Sequence, residues 1–272
     1  MDRIEWGSLP SLLHEAVQDQ IGPVSKAEPS PEGRRSALAV TVHTKGAQRL
    51  FLKGASADNL RAVGDLDREA AIAPHVTAVA PELVCDITAA GWRLLGFDYV
   101  EGRRANYAPG SPDLPAVVKT IAALDALSCP DEVPLKWFEA RWSAYAADPR
   151  QLPVLAGTTI LHTDLNPGNL LVGPHAVAVV DWAMASRGAA FVNPADLVIN
   201  LIACGHTPPE AEAVVHDLAA WRDAEPKAID HYARTVAVTW LQAFWTYTHP
   251  WARAVVRAAQ HWALYRADTS AS

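Results

Sequence analysis

The hydrophobic pattern changes period about a third of the way along the chain, and that change narrows the available folds more than any other feature. Through about residue 100 the apolar runs are short and strand-like, at 36–43, 48–53, 82–88 and 92–98. Thr44-Lys45-Gly46-Ala47 is a turn-rich link between the first two, and Ala90-Gly91 marks the turn between the last two. One stretch in this part, 65–79, has helical spacing, with Pro74 bending or dividing it. Ahead of the strands, the proline and glycine density of Gly22 to Gly33 predicts a mobile loop.

From residue 111 onward the periodicity is helical, over 112–127, 133–147, 194–203, 208–222, 228–247 and 250–265. The exceptions are three short apolar or β-branched runs at 159–161, 170–172 and 177–180. An α+β protein follows, with an N-terminal antiparallel β-sheet lobe with one main helix over residues 1–98 and a mostly α-helical C-terminal lobe over 103–272. Half of the 272 residues are hydrophobic, enough to bury a sizeable core.

Composition removes several function classes. A net charge of −7 does not suit a nucleic-acid-binding surface, which needs a basic stripe to displace counterions. No apolar run is long enough to span a membrane, and Met1-Asp2-Arg3-Ile4-Glu5-Trp6 lacks the layout of a secretion signal, so a cytoplasmic protein without membrane partners is expected. Cys85, Cys129 and Cys204 are scattered and odd in number, as buried thiols in a reducing compartment would be. Oligomeric state is not encoded in any pattern here.

The residues that carry chemistry sit among the three short central runs. His162-Thr163-Asp164-Leu165-Asn166-Pro167-Gly168-Asn169 joins the first two, and Asp181-Trp182 follows the third. Phosphoryl transfer from a nucleotide needs carboxylate and amide oxygens to hold Mg²⁺ on the phosphates, and a further carboxylate to orient the acceptor and take its proton. Asp164, Asn169 and Asp181 are three such groups.

The spacing His-x-Asp-x-x-x-x-Asn, then an apolar strand and Asp-Trp, resembles the aminoglycoside phosphotransferase and choline kinase family, relatives of the protein kinases. The resemblance implies a protein-kinase-like two-lobe fold, ATP and Mg²⁺ as cofactors, Asp164 as the catalytic base or orienter, and Asn169 and Asp181 as metal ligands. It also implies bracing roles for His162 and for Asp196, the latter from the start of the following helix. Thr163 stands where the family often has glycine, and Val192-Asn193-Pro194 where Gly-Asp-Pro is usual.

A kinase of this type also needs a cation on the nucleotide phosphates. Only six lysines are present, and Lys53 ends an apolar strand; Glu69, sixteen residues on in the helical stretch, is the acid that the family pattern pairs with it. Residues 99–102 resemble the hinge, where main-chain groups near Asp98 and Val100 would meet the adenine edge. No glycine-rich phosphate loop precedes Lys53, so the Gly22–Gly33 segment, with Ser25, is the candidate phosphate cover.

The expected activity is ATP-dependent transfer to a hydroxyl of a small molecule, an aminoglycoside-like antibiotic or a choline, amino-alcohol or sugar metabolite. No long segment separates Asp181 from the following helices as in protein kinases. The rivals are a ligand-binding protein without turnover on the same fold, a protein kinase, and a metal-dependent hydrolase built on His162, Asp164 and Asp181. Trp240, Phe244 and Tyr247 fall on one helical face as core or substrate wall, and Asp223, Glu225 and Asp230 read as solvated acids or as receivers of a cationic substrate.

Overall fold

The computed structural model describes residues 4–30, 36–143, 149–244 and 249–270. Parts of three expected segments, 31–33, 144–147 and 245–247, lie outside these residues, and with them Tyr247. The chain divides into two compact units, Met1–Glu101 with Val180–Ala183, and Gly102–Val179 with Met184–Ser272.

The first unit is built on five antiparallel strands: β1 (Val24–Pro29), β2 (Leu38–Thr44), β3 (Arg49–Ser56), β4 (Leu83–Ala89) and β5 (Trp92–Asp98), in the order β1-β2-β3-β5-β4. Alternation along β3 sorts its side chains. Leu50 and Leu52 join Leu38, Val40, Val42 and Leu94 on one face, covered by Leu13, Val17 and Ile21 of helix α1 (Ser11–Ile21). Ala55 shares the other face with Leu95 and Phe97, under Leu66 of helix α2 (Leu60–Ile72). The side chain of Lys53, one step of two from Ala55, is therefore on the α2 face.

Two expectations fail in this unit. The segment from Gly22 is no mobile loop as far as Pro29, because Val24 to Pro29 pair with β2. Proline is tolerated there because β1 is an edge strand, and its missing N–H leaves no interior rung open. A second helix, α1, also covers the sheet where one main helix was expected. Its Leu13, Val17 and Ile21 recur at helical spacing, a signal present in the sequence but not read. Helix α2 itself starts earlier than the periodicity suggested, capped by the Asn59 side chain accepting from Ala62 N, and it ends in a 3₁₀ turn at Pro74.

In the second unit, β6 (Arg103–Arg104) leads to α3 (Leu114–Asp125), then β7 (Lys136–Trp137) and the short α4 (Phe138–Trp142). The expected helix over 133–147 begins only at Phe138, since Pro134 disfavours helix at Val133 and lacks the N–H a helix interior uses. The central strands are β8 (Thr159–Leu161), β9 (Leu170–Val172), β10 (Val177–Val179) and β11 (Ser186–Gly188). They form two small sheets, β10-β9-β6 and β7-β11-β8.

Helices α5 (Val192–Ala203), α6 (Pro208–Val215), α7 (Ala219–Arg222), α8 (Pro226–Phe244) and α9 (Pro250–Ser270) complete the unit. α5 is its centre, buried from Val192 to Ile202. The expected helix over 208–222 is two helices, the first started by a capping box between Thr207 and Glu210. Asp230 is no solvated acid: it is buried and accepts from Arg266 Nε at 2.5 Å, while Arg266 Nη1 donates to Glu212 at 2.8 Å. Trp240 is half-buried. Among the described residues no helix is long and apolar enough to cross a membrane.

Candidate active site

Helical spacing puts Leu66, Glu69 and Ile72 on the buried face of α2, which is the face turned to the sheet. A carboxylate on that stripe and an ammonium on the facing strand meet, and the Lys53 Nζ and Glu69 Oε2 form an ion pair with both side chains buried. Lys53 Nζ also donates to Asp181 Oδ1 at 3.4 Å. Burial works to lower the lysine's pKa, but the Glu69 and Asp181 carboxylates outweigh it and hold the ammonium above its ordinary value.

The 180–183 segment is fastened to α2 at two points. Trp182 N donates to Glu69 Oε1 at 3.3 Å, and Arg68 Nη1 donates to Ala183 O. Arg68 is oriented in turn by Asp65 Oδ1 at 3.0 Å. Asp181 is held at φ 64°, a left-handed conformation that few non-glycine residues adopt, and its side chain is 39 % exposed. Strain of this sort persists only where the surroundings fix it, and here the α2 contacts on the next two residues do so.

Of the other first-unit residues, Ser25 lies in β1 and its hydroxyl donates to His43 O at 2.9 Å. Asp98 is exposed and Val100 half-buried. The last sheet rungs are Asp98 N to Glu82 O at 2.9 Å and Tyr99 N to Arg49 O at 3.2 Å, so Val100 is the first residue past the sheet.

In the second unit, the loop between β8 and β9 is fixed from several directions. His162 is fully buried, and its main-chain N–H donates to Asn193 Oδ1 at 3.1 Å. Asn193 Nδ2 donates to Ile160 O at 3.0 Å and to Asp125 Oδ1 at 3.1 Å, tying α5 to β8 and α3. Leu165 N donates to Asp196 Oδ2 at 2.8 Å, and Tyr107 Oη donates to Leu165 O at 3.2 Å. Burial pushes Asp196 and Asp125 each up to about 7.

Within the loop, Asp164 is half-buried and its Oδ1 accepts from Asn166 Nδ2 at 2.8 Å. Asn169 Nδ2 donates to Asp164 O at 2.8 Å. A main-chain carbonyl accepts only, so the Asn169 atom facing it is the nitrogen, and the side-chain oxygen is left for another partner. The Asn169 amide oxygen and, in the first unit, the partly exposed Asp181 carboxylate are each an oxygen donor of the kind Mg²⁺ takes.

Thr163 is the second strained residue, at φ 60°. For a β-branched side chain this conformation costs on the order of 1–3 kcal/mol. Its hydroxyl donates to Met184 O at 2.7 Å and accepts from Arg141 Nη1 at 2.8 Å, and the same Arg141 nitrogen lies 2.9 Å from Met184 O and 3.2 Å from Ser186 Oγ. Sequence reasoning passed over Arg141, Arg68, Tyr107 and Asn193 as site-forming residues. Only Asn193, the middle residue of the substituted Gly-Asp-Pro position, left a signal to follow.

A sheet unit with a buried Lys–Glu pair and a mainly helical unit with the Asp164–Asn169 loop make a two-lobe kinase-like fold. Residues 135–232, which contain that loop, match the phosphotransferase enzyme family (APH). No curated protein matches the chain. Among solved structures it is similar to an aminoglycoside phosphotransferase from Alicyclobacillus acidocaldarius, with 13% identity, a TM-score of 0.65 and coverage of 97% of this chain and 99% of that one. A choline kinase from Streptococcus pneumoniae matches with 12% identity and a TM-score of 0.61, covering 95% and 97%. An amicoumacin kinase solved with AMP-PNP and Ca²⁺ matches with 12% identity and a TM-score of 0.52, covering 92% and 93%.

Proposed function

We propose that this protein transfers the γ-phosphoryl group of ATP to a hydroxyl of a small molecule. The observation that carries the reading is the buried Lys53–Glu69 pair with Asp181 Oδ1 3.4 Å from the same ammonium, in a chain whose 135–232 segment is that of a phosphotransferase family. A buried lysine kept charged by two carboxylates is the group a nucleotide's phosphates need on the strand side. The fold shared with kinases for an aminoglycoside, choline and amicoumacin supports a small acceptor over a protein one.

In this reading Lys53 binds the α- and β-phosphates and Glu69 holds it in place. The main chain around Asp98 and Val100 meets the adenine edge. Asn169 Oδ1 and the Asp181 carboxylate would be the ligands of Mg²⁺, which would supply charge neutralisation on the phosphates. Asp164 orients the acceptor hydroxyl and receives its proton as the new oxygen–phosphorus bond forms and ADP departs. His162 and Asp196 act by bracing the loop. Ser25, whose hydroxyl is already donated to His43 O, has the weakest support as a phosphate contact.

The test is ADP release from Mg²⁺-ATP across a panel of aminoglycosides, amino alcohols, sugars and macrolides, with GTP run in parallel. At least one acceptor should raise ADP release over the acceptor-free rate. Asp164→Asn should lower that rate about 10²- to 10⁴-fold with ATP affinity retained. Turnover unchanged by Asp164→Asn would overturn the assignment, and ATP binding with no turnover on any acceptor would favour the binding-only alternative.

A further inference from the structure

We infer that Arg141 is a positioning residue for Asp164, acting through Thr163; the catalytic part of this inference rests on the phosphotransferase reading above. The residue before Asp164 fixes the direction in which the chain enters it, and that residue is a threonine held in the left-handed region at φ 60°. Glycine occupies this region without steric cost, while a β-branched residue must be held there. The side chain of Thr163 is the handle. Its hydroxyl is saturated, with Arg141 Nη1 donating to it at 2.8 Å and Met184 O accepting from it at 2.7 Å.

Arg141 is suited to be the fixed end of this contact. It sits on α4, and its Nη1 also reaches Met184 O at 2.9 Å and Ser186 Oγ at 3.2 Å, so it is oriented by β11 and the residues before it, independently of the loop. Nη1 faces these oxygens while Nη2 of the same plane donates to Met184 Sδ at 3.8 Å, a planar arrangement that a lysine ammonium does not reproduce. The remaining loop contacts act on other residues, on His162 through Asn193, on Leu165 through Asp196 and Tyr107, and on Asn169 through the Asp164 carbonyl. None of those is made by Thr163 itself. The threonine and the arginine together do what glycine does by lacking a side chain.

A rescue experiment separates this role from ordinary stabilisation. If Arg141 works by holding Thr163 in its strained conformation, Arg141→Met should be harmful with threonine at 163 and much less so when combined with Thr163→Gly, because glycine keeps the conformation unaided. The first readout needs no substrate: amide hydrogen exchange at Leu165 and Asn169. Arg141→Met should speed it on the order of tenfold or more, the double variant should return it to near the parent rate, and Arg141→Lys should fall between.

The second readout is kinetic, on an acceptor found in the panel. Arg141→Met should lower kcat about 10- to 100-fold with the KM for ATP little changed, and Thr163→Gly should recover most of the loss. Equal effects of Arg141→Met in both backgrounds, or unchanged exchange at both amides, would overturn the inference. Should the parent protein transfer no phosphate, the phosphotransferase reading fails on its own and the exchange data still decide whether Arg141 holds the loop through Thr163.

Discussion

Lys53 and Glu69 show how much a single residue's surroundings decide. Both side chains are buried, so each is tolerated because the other is present. Lys53→Met strands the Glu69 carboxylate and should destabilise the protein by about 3–5 kcal/mol, read from the denaturant midpoint, while weakening ATP binding. Adding Glu69→Gln removes the stranded charge and keeps an oxygen for Trp182 N, so it should restore most of the stability and none of the ATP affinity. Stability that stayed low in the double variant would show that the pair is held for reasons other than charge compensation. The pair was legible in the sequence through the family pattern, with Asp65 and Asp67 as competing acids; Glu69 is the one that falls on the buried face of α2. Arg141 was not, because its partners are a main-chain carbonyl and two hydroxyls distant in sequence, and no periodicity encodes such contacts. Thr163 was noticed only as an unusual residue; its strain is a backbone fact, invisible until φ is known.

Among the elements, the central strands of the five-stranded sheet were recovered closely, since β2, β3, β4 and β5 alternate and are parted by turn residues. What escaped was at the margin. β1 carries Pro29 and follows Gly22-Pro23, so local composition argued for a loop, yet an edge position lets the same residues pair. The splitting of 208–222 into α6 and α7 was hidden because the break, with Leu218 extended at ψ 129°, falls where no proline or glycine marks it. At the other extreme, Gly96 in β5 sits where no side chain fits. A Cβ there would lie 2.7 Å from Leu52 Cδ2 and also strike the Cys85 side chain, both in the α1-side core. Gly96→Ala should therefore cost about 1–3 kcal/mol, measured as a shift of the unfolding midpoint. A loss well below 1 kcal/mol would mean that this face of the sheet yields more easily than its packing indicates. Because the crowding is between strands β3, β4 and β5, Cys85→Ala should recover part of the loss by removing the sulfur.

For the molecule as a whole, the buried acids that brace the loop set how stability responds to pH. Asp125 and Asp196 are both raised to about 7 by burial from an ordinary value of 3.8. Between those values the folded state binds protons that the unfolded chain has released, so stability falls as pH rises through this range. Below about pH 4 the two groups cost nothing by this route, and above about pH 7 their cost is complete. Opposing contributions belong to Asp113 and Glu210, whose carboxyls are held below their ordinary values, the first by the Arg103 guanidinium and the second by the Thr207 amide. Their stabilisation is present above the unfolded pKa and is lost as pH falls through the lowered one. The two sets together place the maximum near the ordinary carboxyl values, below which the lowered carboxyls protonate and above which the unfolded chain releases protons that the buried acids keep. Urea unfolding at pH 5.5 and pH 8 should show the midpoint falling toward the higher pH, by an amount on the order of a few kcal/mol. Asp125→Asn keeps an acceptor for Asn193 Nδ2 while removing one ionisation, so it should flatten that slope without abolishing it. A midpoint that rose from pH 5.5 to pH 8, or a slope untouched by Asp125→Asn, would mean that the buried acids do not govern the response and that the loop is braced by ionised carboxylates throughout.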